Sequence, residues 1–94
     1  MLVVGVLETR QRLRTSRSLK DKRKVVRSIL DRVRARFNVS AAEVDDQDLW
    51  QSISLGFVAA GSDSGRVVAE LEKVLHLVRT HPEAEFLDHD LEII

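Results

Sequence analysis

The first residues of the chain combine two hydrophobic patterns. Residues 2–7 are nearly all apolar, as in a strand buried on both faces, and the charged side chains Glu8, Arg10 and Arg12 then occupy alternate positions. We therefore predict a long first strand from Leu2 to about Leu13. It lies at the centre of a sheet, and its far end projects beyond the core.

Apolar residues recur at helical spacing after this strand. The stripe consists of Leu19, Val26, Ile29, Leu30, Val33 and Phe37. Ser18 is an N-cap candidate, and Asp21 three residues later forms a variant of the capping box. The pattern predicts a helix of roughly 18 residues, ending near Asn38, which we expect to be a left-handed cap.

The remaining patterns predict three strands and a second helix. The strands are Val39–Val44, Gln51–Ala60 and Ala84–Ile93. The helix is capped by Ser62 or Asp63 and stops before Pro82, because proline cannot continue a helix. The order βαββαβ predicts one α+β domain over residues 1–94 with the ferredoxin-like arrangement. Right-handed crossovers place both helices on one face of a four-stranded antiparallel sheet of strand order 4-1-3-2.

In that order the first strand neighbours the last, so both contribute charges to the open face of the sheet. Glu8, Arg10 and Arg12 would form cross-strand ion pairs with the acidic residues of the last strand, Asp88, Asp90 and Glu92. Arg10 and Arg12 therefore have a structural explanation that Arg14 and the first helix lack.

The charge is divided unevenly along the chain. The formal net charge is zero, but residues 1–36 hold 12 basic and 3 acidic side chains, a net of +9, and residues 37–94 hold 3 basic and 12 acidic, a net of −9. Such asymmetry points to an anionic partner. The alternative is compensation within the domain, where basic and acidic elements pack against each other.

The sharpest candidate site is the start of the first helix. Lys20, Arg23 and Lys24 crowd an end where backbone N–H groups already carry partial positive charge, and a bound anion would relieve the repulsion. Together with Arg17 and Ser18 they predict a phosphate-binding corner. The alternative is a solvated helix face. We expect the stem of Lys22 to pack against the core while its ammonium group reaches solvent.

The basic residues continue beyond this corner. Lys20, Arg27 and Arg34 recur every seven residues and would form a ridge ~21 Å long, a length of several phosphate spacings. The predicted anion-binding or nucleic-acid-binding residues are Arg14, Arg17, Ser18, Lys20, Arg23, Lys24, Arg27 and Arg34. Base stacking on the open sheet face is not expected, because the third strand presents Ser52, Ser54 and Gly56 there and no aromatic residue.

Other chemistry is poorly represented. There is no cysteine, the three histidines lack the spacing of metal ligands, and the acidic turn at residues 45–48 lacks the glycine of a calcium loop. We expect no catalytic site, no metal and no cofactor. Trp50 beside that turn either covers the core, the favoured interpretation, or anchors a protein partner.

Two segments resemble a known family. Residues 17–23 (RSLKDKR) and residues 43–51 (EVDDQDLWQ) are similar to motifs of the YlxP-like family of small bacterial proteins of unknown function, and the resemblance extends over the whole chain. It implies a ferredoxin-like fold. It also implies a link to RNA or the ribosome, since members of the family are often encoded beside transcription, translation and ribosome-maturation factors. It implies no catalytic residues.

These observations predict a non-catalytic accessory protein that binds the backbone of structured RNA, in the ribosome or elsewhere, through its basic helix. The alternative is a protein-interaction or homo-oligomerisation module. The sequence shows no cysteine, no membrane span and no basic leader, so we expect a cytoplasmic protein. Eleven arginines against four lysines, with one asparagine and three glutamines, would suit a heat-adapted bacterium or a GC-rich genome.

Overall fold

A computed structural model describes all residues, 1–94, and contains the six predicted elements in the predicted order. They are β1 (Val3–Arg12), α1 (Leu19–Arg36), β2 (Ser40–Asp45), β3 (Ser52–Gly61), α2 (Ser64–Arg79) and β4 (Glu85–Ile93). The strands form one antiparallel sheet in the order β2-β3-β1-β4. This is the predicted order 4-1-3-2 counted from the opposite edge, so the ferredoxin-like α+β fold is confirmed.

The core lies between the sheet and the two helices. Leu7 and Phe57 are cross-strand partners on the inner face, each 1% exposed, and the helices cover them with Ile29, Leu71 and other residues that are 0% exposed. Burial of such side chains contributes ~1.5–3 kcal/mol each. Neither helix has the length and apolar character needed to cross a membrane.

The end of α1 differs from the prediction. The helix ends at Arg36, and Phe37 is its C-cap in an extended conformation, φ −129°, with its N–H donating to the carbonyl of Val33. Asn38 is not a left-handed cap, because Asp46 is the only residue of the protein with positive φ. The partly buried ring of Phe37 packs against the core, and this packing gives the chain a reason to leave the helix there.

A β-bulge in β4 interrupts the alternation of inward and outward side chains in this strand. Arg10 pairs with Asp88 but Gln11 pairs with Phe86, so Leu87 is the extra residue. Phe86 therefore packs against the core, whereas Leu87, which the alternation places inward, is 46% exposed. Strict alternation carries no information about a bulge.

The predicted ion pairs on the open sheet face are only partly formed. Arg10 bridges two residues of β4, through Nε to Asp88 and through Nη2 to Asp90 Oδ2 at 2.8 Å. These hydrogen bonds raise the pKa of Arg10. Arg12 forms no ion pair, and neither does Glu8.

Candidate nucleic-acid interface

The outward face of α1 carries most of the predicted site. Lys20, Lys24 and Arg27 point away from the sheet and are exposed, because their helical phase is opposite to that of the buried residues Val26 and Val33. Residues three and four apart are neighbours on a helix surface, so these cations form a continuous patch that begins at the first turn.

Two further arginines flank this patch on the side that faces β2. Arg23 is exposed, and Arg34, also exposed, donates a hydrogen bond from Nη2 to the backbone carbonyl of Ala41 in β2. The carbonyl is neutral, so the charge of Arg34 is not cancelled. The predicted ridge from Lys20 to Arg34 therefore exists, although Asp31 lies on its outer side and reduces its charge locally.

Carboxylates of the same chain do not neutralise this face. The protein contains four ion-pair contacts, and the cations in them are Arg10, Arg14 and Lys22. None of the exposed cations at residues 17–27 takes part: Arg17, Lys20, Arg23, Lys24 and Arg27. With Asp21 as the only exposed carboxylate of the same stretch, these five give the segment a net charge of +4 at the surface.

The first turn of α1 is capped by its own side chains. Ser18 Oγ accepts a hydrogen bond from the N–H of Asp21 at 3.1 Å, and the carboxylate of Asp21 accepts one from the N–H of Arg17, also at 3.1 Å. Ser18 is thus the predicted N-cap. Asp21 places a carboxylate at the positive end of the helix, and its charge offsets part of the positive charge of the predicted phosphate-binding corner.

Arg14 is engaged within the domain, unlike the other predicted site residues. Its Nε lies 2.7 Å from Glu85 Oε2, and this ion pair raises the pKa of Arg14 and lowers that of Glu85. The pair lies at a hollow of about 540 Å³ whose charged lining is balanced, three basic and three acidic side chains: Arg12, Arg14, Lys24, Asp21, Glu83 and Glu85. Arg14 therefore has the structural explanation that the sequence did not offer.

Lys22 corrects the expectation that its ammonium group reaches solvent. The side chain is 1% exposed, and its Nζ lies 2.9 Å from Glu43 Oε2 in β2 and donates a hydrogen bond to the carbonyl oxygen of Asp46. The contact with Glu43 is an ion pair by distance, although its angle is not that of a hydrogen bond. The sequence signal was present, since Lys22 falls on the buried stripe of α1, but its partner on β2 could not be identified from spacing.

The connection after β2 holds Trp50 at the surface. Trp50 is 53% exposed and its neighbour Leu49 is 52% exposed, so the favoured interpretation of Trp50 as a cover for the core is wrong. The connection itself is fixed by Lys22, through the carbonyl of Asp46, which has a φ of 58° in the left-handed region. The carboxylates of this turn do not converge with others into a group of three that would suit a metal ion.

His81 is the one buried histidine, and its hydrogen bonds indicate the tautomer of its neutral ring. Its Nδ1 accepts from the N–H of Glu83 at 3.3 Å, so in the neutral ring the proton is on Nε2, which lies 3.4 Å from Ser28 Oγ. A general base would need a free Nε2 to accept the hydroxyl proton of Ser28. Burial and the nearby Arg32 lower the pKa of His81.

Comparisons with known proteins place the chain in a family. The sequence profile described as "Protein of unknown function (DUF503)" matches residues 4–91. The chain is also 39% identical over 83 residues to the "Uncharacterized protein YlxP" of Bacillus subtilis (strain 168), over 88% of this chain and 90% of that protein. The YlxP-like resemblance is thereby confirmed, and the chain belongs to the DUF503 family of bacterial proteins of unknown function.

Proposed function

We propose that this protein is a non-catalytic accessory factor that binds the phosphate backbone of structured RNA, such as ribosomal RNA, through the outward face of α1. The observation that carries the proposal is selective pairing of charge. Arg10, Lys22 and the exposed Arg14 have carboxylate partners, whereas the five exposed cations of residues 17–27 have none. Compensation within the domain therefore does not account for the basic face.

The geometry of the face favours contacts with phosphates over contacts with bases. The cations lie along a helix whose residues rise ~1.5 Å each, so the ridge from Lys20 to Arg34 is ~21 Å long and can contact several phosphates. Stacking of bases requires exposed aromatic rings, but Phe57 of the central strand β3 is 1% exposed on the inner side of the sheet. We expect recognition of RNA shape and charge with little dependence on sequence.

The test is the salt dependence of RNA binding by two variants of equal charge. Binding of a structured RNA is measured by fluorescence anisotropy across a range of salt concentrations. The site variant replaces three outward cations of α1 by glutamine, Lys20→Gln, Lys24→Gln and Arg27→Gln. The matched control replaces the three basic residues of α2, Arg66→Gln, Lys73→Gln and Arg79→Gln, which changes the net charge by the same amount.

We expect the wild type to lose affinity steeply with salt, with a log–log slope of about −4 if five cations meet phosphates. The site variant should make this slope shallower by about 2.4 and weaken binding by at least about tenfold at 0.1 M salt, while the control should change affinity less than about threefold. Equal losses in the two variants would show that net charge alone acts, and a wild type that does not bind RNA would refute the proposal.

A protein-binding role is the second candidate, and the exposed side chain of Trp50 favours it. At 53% exposure, Trp50→Ala should cost less than about 1 kcal/mol of stability. Capture of ribosomal particles from lysate distinguishes the two functions. Loss of captured material after nuclease treatment, with Trp50→Ala unaffected, supports RNA binding, whereas nuclease-resistant capture that needs Trp50 supports a protein partner.

A further inference from the structure

The open face of the sheet, the one that carries no helix, has large side chains on one central strand and small ones on the other. On β1 the residues are Val4, Val6, Glu8, Arg10 and Arg12, and their partners on β3 are, in the same order, Ala60, Val58, Gly56, Ser54 and Ser52. In four of these five rows the residue on β1 is the larger, and the remaining row pairs two valines.

One end of this face is apolar and exposed. Val58 is 41% exposed and Val44 is 46% exposed, and Val44 lies over Gly56, where an added Cβ would come within 2.8 Å of its Cγ1. A hollow of about 300 Å³ opens around Gly56 between these valines and Glu8. Val6 completes the apolar end beside Val58.

We propose that the open sheet face is the interface of a homodimer, whose two-fold axis runs between the two sheets, parallel to β1 and β3. Such an axis places β1 of each copy over β3 of the other. Each cross-strand pair of residues on β1 and β3 then lies over the same pair in the second copy. Val6 then meets Val58 of the partner subunit, and Arg10 meets Ser54 of the partner subunit. Large side chains thus pack on small ones in four of the five rows and valine packs on valine in the fifth, so the face is complementary to itself, as an isologous interface requires.

The area is sufficient for a specific complex. Strands ~4.8 Å apart with a rise of ~3.3 Å per residue give the face about 550 Å² per copy, or about 1,100 Å² in total, near the ~1,000 Å² that a specific interface needs. Other modes are less suitable. Pairing of the β4 edges would bring together the acidic side chains of two copies, Asp88, Asp90 and Glu92. RNA is disfavoured on this face because its charged residues on β1 and β4 are five acidic and two basic.

Some charged contacts in the proposed interface are unfavourable. The register places Asp88 of one copy over Asp45 of the partner subunit, and Arg12, which forms no ion pair, approaches the same residue of the second copy. The contact at Glu8 is the one that a single substitution tests most simply. Glu8 forms no ion pair, and the axis brings it close to the same residue of the second copy across the hollow at Gly56. Like charges that face each other across strands are destabilising. Removing this charge should therefore strengthen the dimer, an effect that a solvent-exposed surface residue would not produce.

The first test is molar mass by sedimentation equilibrium up to about 500 µM, since an interface of this size is expected to be of about micromolar affinity. We expect wild type at twice the chain mass of 10.7 kDa. Val58→Lys should weaken dimerisation at least about 30-fold, because it places a charge in the apolar end of the interface. The control Leu49→Lys, at a residue 52% exposed outside the face, should have no effect. Glu8→Gln should tighten the dimer about threefold.

A wild type that remains at 10.7 kDa at the highest concentration would overturn the proposal. Equal association of wild type and a Val58→Lys variant whose circular dichroism shows it folded would also overturn it.

The orientation of the two copies is tested by cysteine cross-linking. The chain has no cysteine, so the reagent reacts only with the cysteines that are introduced. With a short bismaleimide, Val58→Cys should link to itself, while a mixture of Val58→Cys and Ser52→Cys should give no mixed product. A dominant mixed product would place the two-fold axis across the strands and refute this arrangement.

Discussion

The buried ion pair between α1 and β2 provides the most direct test of how this fold is held together. Lys22 is 1% exposed, the side chain of Glu43 is 19% exposed, and the carbonyl of Asp46 is the other acceptor for the ammonium group. Glu43→Gln removes the negative charge while keeping the size of the side chain. The positive charge of Lys22 then stays in the core without a counter-charge.

Breaking a buried pair in this way costs 3–5 kcal/mol, and we expect about 3 kcal/mol because Glu43 retains some contact with water. For a domain of this size the melting temperature should fall by about 12–24 °C. Lys22→Met combined with Glu43→Gln removes both charges and keeps an apolar stem beneath β2. The double variant should therefore lie within about 1 kcal/mol of wild type.

Urea unfolding followed by circular dichroism gives each free energy, with equal m-values as the check that two-state behaviour is kept. Glu72→Gln on the exposed side of α2 is the control and should change stability by less than about 0.5 kcal/mol. If Glu43→Gln costs less than about 1 kcal/mol, or if the double variant is no more stable than Glu43→Gln alone, the pair does not stabilise the junction of α1 and β2 as argued.

Three further predictions test the helix start, the core and the buried histidine. Ser18→Ala should lower the unfolding free energy by about 1 kcal/mol in urea titrations, because the first turn of α1 loses its N-cap. Gly5→Ala should cost about 1–3 kcal/mol by the same measurement, since the new Cβ would lie 2.6 Å from Cγ1 of Val67. Burial and Arg32 lower the pKa of His81, so the native state binds fewer protons than the unfolded state below about pH 6.5, and stability should fall as the pH drops through that range. This fall should be smaller in His81→Gln, and an identical pH profile for the two proteins would contradict the assignment.

The fold was predictable because local signals agreed with one another. Helical spacing, Ser18 before the first helix and Pro82 after the second fixed the elements, and the order βαββαβ then fixed the sheet. The errors lie where tertiary contacts override local pattern. The bulge at Leu87 and the extended cap at Phe37 depend on packing against other elements, which no local rule encodes.

The position of the candidate site could be predicted from the sequence, but the carboxylate partners of its cations could not. The helical phase correctly separated the outward Lys20 and Arg27 from the core. Whether a cation has a carboxylate partner depends on side chains far away in the chain, as for Arg14 with Glu85 and Lys22 with Glu43. Charge counting along the sequence therefore predicted a basic helix but could not say which charges the fold leaves free.

The distribution of paired and unpaired cations also bears on how the two proposed surfaces relate. The sheet separates them, since α1 covers its inner face and the proposed dimer uses its open face. On the open face Arg10 is held by Asp88 and Asp90, so little positive charge is left there to compete for RNA. With layers about 10 Å apart, the two copies of α1 would lie about 30 Å apart on opposite outer sides of the dimer. Each surface can therefore be removed by substitution without touching the other, and loss of one activity in a variant designed against the other would mean that the surfaces are wrongly assigned.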